Sequence, residues 1–104
     1  MVIIRNVFQL KFGKAREAVA IVKEGIAIQK RLSASAGIDF RQRVLTDITG
    51  PFYTLVLELT VPALAAFEQS AGTIMGNAEW QANYQKLVPL VETGYREIFT
   101  IVAD

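Results

Sequence analysis

The chain has 104 residues, 52% of them hydrophobic and 20% charged, with 11 basic against 10 acidic residues for a net charge of +1. That length suits one domain spanning residues 1–104, and the near-neutral charge excludes the broad basic footprint of a nucleic-acid binder. Cysteine and histidine are both absent, which excludes disulfides, Cys/His zinc sites, a histidine haem ligand and every His-dependent dyad or triad.

A chain of this size buries only ~60–70% of its unfolded surface. The apolar excess is therefore most simply explained by a subunit interface in addition to a core. No apolar run approaches ~20 residues, and Arg5 and Asn6 come too early for the apolar stretch of a signal peptide. A cytoplasmic protein without a membrane partner is expected.

Residues 2–12 are rich in β-branched and aromatic types and predict a first strand. Val2, Ile4, Asn6, Phe8, Leu10 and Phe12 share one face, and Ile3, Arg5, Val7, Gln9 and Lys11 the other. Gly13 then permits a turn. From Lys14 to about Ser33 the period changes: Ala15, Ala18, Val19, Val22, Ile26 and Gln29 follow helical spacing. Gly25 inside this helix costs about 1 kcal/mol relative to alanine, and close packing against the sheet would account for it. Ser33 to Gly37 ends the helix, with Gly37 as the C-terminal loop residue.

Ile38 to Ile48 predicts a second strand that carries Asp39, Arg41, Arg43 and Leu45 on one face. Thr49-Gly50-Pro51 reads as a short turn, and residues 52–61 follow at once as a third strand, so the two form a hairpin. That third strand is apolar to an unusual degree. Tyr53, Leu55, Leu57, Leu59 and Val61 make one face, while Phe52, Thr54, Val56, Glu58 and Thr60 make a mixed one. A sheet with one wet face alternates more cleanly than this, so something should cover the mixed side.

Pro62 suits the first turn of a helix, which Leu64, Ala65 and Phe67 continue to about Met75. Gly76-Asn77 interrupts it, with Asn77 placed to cap a second helical piece. There Trp80, Tyr84, Leu87, Val88 and Val91 form one stripe, and Pro89 ends or kinks the helix. Gly94 releases the chain into a last strand, Tyr95 to Val102.

The order β-α-β-β-α-β predicts an α+β, ferredoxin-like fold: a four-stranded antiparallel sheet with the helical layer on one face. The other face is left bare. Two such faces stacked about a two-fold axis would close a barrel-like homodimer.

Three segments carry a family resemblance. They are Arg43 to Phe52 running into Leu55-Val-Leu-Glu-Leu59, then Leu64-Ala-Ala-Phe-Glu68, then Trp80 to Tyr84 together with Pro89 to Ile98. With the strand order, they resemble the dimeric α+β barrel superfamily and, within it, the NIPSNAP-like proteins and their uncharacterised bacterial relatives. The resemblance implies two ferredoxin-like subunits forming a dimeric α+β barrel. It admits many activities, among them cofactor-free monooxygenases, haem-degrading monooxygenases, isomerases, chlorite-decomposing haem enzymes and proteins with no known activity. The haem-degrading members are similar in placing an Asn on the first strand and a Trp on the second helical region, near a proximal His. Asn6 and Trp80 match two of those roles, and no residue matches the third. That departure argues against haem.

Two constellations are candidates for function. Asn6, Phe8, Trp80 and Tyr84 would line a pocket between sheet and helix for a small apolar or aromatic molecule, although aromatics at i, i+4 equally serve as plain core. Arg5, Gln9 and Glu58 should share the open sheet face, joined by Arg41 and Arg43 if the edge-strand register agrees. Inside a closed barrel these groups need partners. An Arg5–Glu58 pair is the simplest expectation, and an anion or carboxylate site is the alternative. No nucleophile–base pair, phosphate-binding loop or metal cluster is present, so no catalytic residue or metal ligand is assigned and no cofactor is expected. The sequence thus predicts a NIPSNAP-like homodimer that binds a small molecule. The alternative is a cofactor-free monooxygenase-like enzyme acting on a small organic substrate.

Overall fold

Strand β1 (Val2–Leu10) runs through the middle of the sheet and hydrogen-bonds to neighbours on both sides. The computed structural model describes residues 1–37 and 40–104. Along the chain follow α1 (Ala15–Ala36), β2 (Arg41–Thr46), β3 (Thr54–Val61), α2 (Leu64–Met75), α3 (Ala78–Leu87), a 3-10 turn (Val88–Leu90) and β4 (Val91–Thr100). The strand order is β2-β3-β1-β4, antiparallel throughout. This is the predicted ferredoxin-like arrangement, with its second helical element split in two at Gly76 and Asn77.

The core sits between the sheet and α1. Leu10 and Leu55 from the sheet meet Ala18 and Val22 of α1 and Leu87 of α3, all buried. Ile4, Leu59 and Val61 form a second buried cluster under Phe67 of α2. These strand residues are the even positions of β1 and the odd positions of β3, which the register brings to one face (Ile4 opposite Leu59, Phe8 opposite Leu55). Ile3, Arg5, Val7 and Gln9 face the other way. The molecule measures 37 × 36 × 17 Å, the thickness of one sheet and one helical layer.

Several boundaries differ from the sequence reading. Strand β1 ends at Leu10 rather than at residue 12, because Lys11 to Lys14 turn instead. Helix α1 runs to Ala36, since Ser33, Ala34, Ser35 and Ala36 still close helical turns. Gly37, at φ 71°, then caps it in the left-handed conformation that glycine tolerates. Strand β2 is shorter than expected, and the proposed start at Ile38 and Asp39 lies outside the described residues. The hairpin loop is also longer than Thr49-Gly50-Pro51. Phe52 and Tyr53 belong to it, and Tyr53 takes a positive φ of 60° while its carbonyl accepts from the Leu10 N–H. Pro62 precedes the first turn of α2, whose N-cap is Ala63. Asn77 does cap α3, its side chain accepting from the Trp80 N–H at 3.0 Å.

Two glycines were misread. Gly25 does not approach the sheet; a Cβ there would meet Nδ2 of Asn83 on α3 at 3.0 Å. Gly94 does not precede β4 but lies within it, opposite Phe8, where a Cβ would meet the Val7 carbonyl oxygen at 3.0 Å and the Phe8 ring at 3.1 Å. Backbone atoms cannot yield cheaply to such a contact. We therefore expect Gly94→Ala to destabilise the protein by about 1–3 kcal/mol. Gly72, in the interior of α2 with open space around its Cα, should respond oppositely: Gly72→Ala should stabilise by about 0.5–1 kcal/mol. Urea denaturation of the two variants beside the wild type reads both signs.

Candidate functional site

A cavity of about 600 Å³ lies between the sheet and the helices. Its floor is the helix-facing side of the sheet, with Asn6 and Phe8 from β1 and Leu57 and Leu59 from β3. Ile26 of α1, Phe67 and Ile74 of α2, and Trp80 and Tyr84 of α3 form its walls. All four residues expected to line a pocket, Asn6, Phe8, Trp80 and Tyr84, thus reach the same space. The i, i+4 spacing in α3 places Trp80 and Tyr84 one turn apart, and their rings stack at 5.2 Å with an interplanar angle of 14°. Neither ring is buried, so they form a wall and not a core plug.

The polar groups of this cavity were only partly foreseen. Asn6 accepts a hydrogen bond from Nε of Arg96 at 2.7 Å, its direct partner across the β1–β4 ladder. The Arg96 guanidinium also lies over the Phe67 ring, 5.4 Å from its centroid. Asn83 is almost fully buried in α3 and donates to the Ile21 carbonyl at 3.0 Å, tying α3 to α1. Its Oδ1 finds no partner among the described residues, so this wall contains one desolvated acceptor. Arg96 and Asn83 were not among the sequence candidates. Asn83 sits between Trp80 and Leu87 on the stripe already recognised, and Arg96, although inside the expected last strand, is placed beside Asn6 only by the β1–β4 register.

The second constellation lies on the opposite face. Arg5 of β1 and Arg43 of β2 stand directly across from Glu58 of β3, one on each side. Arg5 Nε donates to Glu58 Oε2 at 2.9 Å, and Arg43 donates to Oε1 through Nε at 3.0 Å and through Nη2. Glu58 is only 2% exposed, although this face carries no helix. The two arginine stems and heads cover it. Gln9 lies nearer the hairpin loop, where its Nε2 donates to the Phe52 carbonyl and its Oε1 accepts from the Thr54 hydroxyl. Arg41 faces the same side opposite Thr60 and is exposed. Phe99 of β4 packs under Arg5, 5.7 Å from guanidinium carbon to ring centroid.

Burial pushes the Glu58 carboxyl up, but hydrogen bonds and charge from Arg43 and Arg5 outweigh it, and the net shift is below the usual 4.5. This direction gives Glu58 the chemistry of a paired structural carboxylate. A general base poised near neutrality needs the opposite shift.

No protein-family model matches the chain. No curated protein matches it either. Solved structures do match, and they agree on architecture. A NIPSNAP domain protein from Burkholderia xenovorans superposes with a TM-score of 0.82 at 18% identity, covering 96% of this chain and 93% of the other. A NIPSNAP family protein from Agrobacterium tumefaciens gives 0.80 at 21% identity, covering 95% and 90%. SnoaB, a cofactor-independent oxygenase from Streptomyces nogalater, gives 0.73 at 17% identity, covering 99% and 94%. At such identities the likeness establishes the fold, a ferredoxin-like α+β architecture of the NIPSNAP type that oxygenases also use.

Because the folded pKa of Glu58 lies below 4.5, its ion pairs stabilise fully above that value and are lost as pH falls through the folded pKa. We expect Glu58→Gln to lose about 1–3 kcal/mol at neutral pH. The gap to wild type should narrow steadily below pH 4.5, as followed by urea denaturation across pH. A gap independent of pH would mean that packing, not charge, holds Glu58.

Proposed function

We propose that this protein is a homodimeric, NIPSNAP-like binding protein that takes a small apolar or aromatic molecule between its sheet and helices. One observation carries the reading: the cavity of about 600 Å³ walled by the stacked Trp80 and Tyr84. Its size falls within the ~300–1,000 Å³ of small-molecule sites. Apolar walls with a few convergent polar groups suit a ligand that is mostly hydrocarbon.

The dimer follows from the bare sheet face. Leu45, Tyr95 and Phe99 are exposed there, and Ile3, Val7 and Val56 lie half-buried between them. A patch of this kind on a small protein calls for a cover. A second copy supplies the same surface in mirrored order about a two-fold axis. Among the described residues no helix is long and apolar enough to cross a membrane, and a cytoplasmic location is part of the same reading.

A second reading, a cofactor-free oxygenase acting on a small organic substrate, draws on the fold likeness to SnoaB. It would use the same cavity. The described lining offers no carboxylate to act as a base beside the substrate, so binding without chemistry is preferred.

Trp80→Ala should abolish calorimetrically detected binding of a neutral bicyclic probe, 2-naphthamide. It should leave the far-ultraviolet circular dichroism and the oligomeric state unchanged, because Trp80 is not buried. A loss of stability near the ~3–5 kcal/mol of a buried tryptophan would make Trp80 core and retire the pocket. Separately, light scattering after size exclusion at low micromolar concentration should give a dimer, as an interface above ~1,000 Å² allows. A folded monomer would remove the dimer from the proposal.

A further inference from the structure

We infer that the cavity's ligand is an acid: a small apolar or aromatic body whose carboxylate is gripped by Arg96. This rests on the binding reading above and adds the chemical class. Among the described residues that line the cavity, Arg96 alone carries a full charge. Among the described residues, no carboxylate lies within ion-pair distance of it, whereas Arg5 and Arg43 share Glu58 and Arg31 pairs with Glu79.

The guanidinium is also held in place. Its Nε donates to Asn6 Oδ1 at 2.7 Å, and its carbon stands 5.4 Å from the Phe67 ring centroid. Asn6 and Arg96 are direct cross-strand partners, so the ladder between β1 and β4 sets where the charge sits. With Nε occupied, the two terminal nitrogens remain as a planar pair of donors. That pair fits the two oxygens of a carboxylate. A single cation neutralises a monoanion and leaves a phosphate dianion half-compensated, so a carboxylate is the better match. Arg96 is exposed at the edge of the cavity, where an arriving carboxylate meets it without leaving an unpaired charge buried. Phe8, Leu57, Ile74 and the Trp80–Tyr84 stack then take the hydrocarbon part. Asn6 is a positioning residue in this arrangement, because it acts on the ligand through Arg96.

The test uses the full chain and three probes of one shape: 2-naphthoate, neutral 2-naphthamide and 2-naphthyl phosphate, each titrated by calorimetry. The native protein should bind the naphthoate about tenfold more tightly than the amide, as expected for one charge-assisted pair. The phosphate should bind no better than the naphthoate. Arg96→Gln should erase the preference, bringing naphthoate affinity down to that of the amide. Raising salt should weaken binding of the naphthoate and spare the neutral amide, and this reading on native protein stands even where the variant fails to fold. Equal affinities for naphthoate and amide would overturn the acid assignment while leaving the cavity reading intact. Failure of every probe to bind a folded protein would overturn both. Tighter binding of the phosphate would overturn the choice of a monoanion, and loss of the amide along with the naphthoate in a folded Arg96→Gln protein would show Arg96 to be structural.

Discussion

The pairing of β1 with both of its neighbours decides where every chemically interesting group in this protein stands. Arg5 and Asn6 are adjacent in the chain, yet the two-residue period sends them to opposite faces of the sheet. Arg5 meets Glu58 on the open side, and Asn6 meets Arg96 on the helical side. A slip of one residue would bring Arg5 under the helices and turn Asn6 outward, destroying both arrangements at once. The register is held by Ile4 and Leu10, buried on the helix-facing side against Leu59 and Leu55. Hydrophobic burial thus fixes the polar chemistry of both faces, and it does so through a single strand.

The two faces solve the problem of buried polarity differently. On the open face, Glu58 is nearly inaccessible even in one chain, because Arg5 and Arg43 flank it and lie across it. The one carboxylate is satisfied by two guanidiniums, so Glu58 is not left as an unpaired buried charge, and the cluster keeps a net positive charge on the more exposed arginines. Leu45, Tyr95 and Phe99 around the cluster supply the apolar surface that favours closure. On the helical face, polarity is left incomplete: Arg96 has no carboxylate partner and Asn83 has a desolvated oxygen, both among the described residues. The buried carboxylate of one face is thus satisfied within the chain, and the helical face keeps an unpaired guanidinium and an unpartnered amide oxygen among the described residues.

Much of this was legible in the sequence, for identifiable reasons. Strand order and sheet faces followed from β-branched alternation in β1 and β3, and the Asn77 cap followed from a short polar residue ahead of a helical stripe. The meeting of Asn6, Phe8, Trp80 and Tyr84 in one space followed from strand and helix periodicity together with the family resemblance, which drew attention to an Asn on the first strand and a Trp on the second helical region. What escaped notice depended on distances across the fold. Gly94 looked like a strand boundary because glycine is depleted in strands. Its actual reason, the approach of Val7 and Phe8, exists only once β4 is laid beside β1. Arg96 lay inside the expected strand, but which residue of β1 it faces is a matter of register, and that depends on how the two strands are laid together. Gly25 was assigned to the sheet because the nearest apolar surface there is the sheet, and nothing local signals that α3 crosses at that point.

Those two glycines also shape the walls of the cavity. Both line it. At Gly25 the absent side chain lets Asn83 come close enough to hold the Ile21 carbonyl, which anchors α3 to α1 at one end. At Gly94 the absent side chain lets the Val7 carbonyl and the Phe8 ring lie against β4. At both positions a Cβ would meet an occupied neighbour at 3.0 Å, so glycine is what lets these elements pack. Its intrinsic cost of about 0.5–1 kcal/mol relative to alanine is offset by the contacts that an added methyl would break. The aromatic-walled space and the oriented Arg96 at its edge therefore lie between elements whose approach depends on these two glycines. The acid proposed above would enter a space set by backbone contacts and not by a missing core residue.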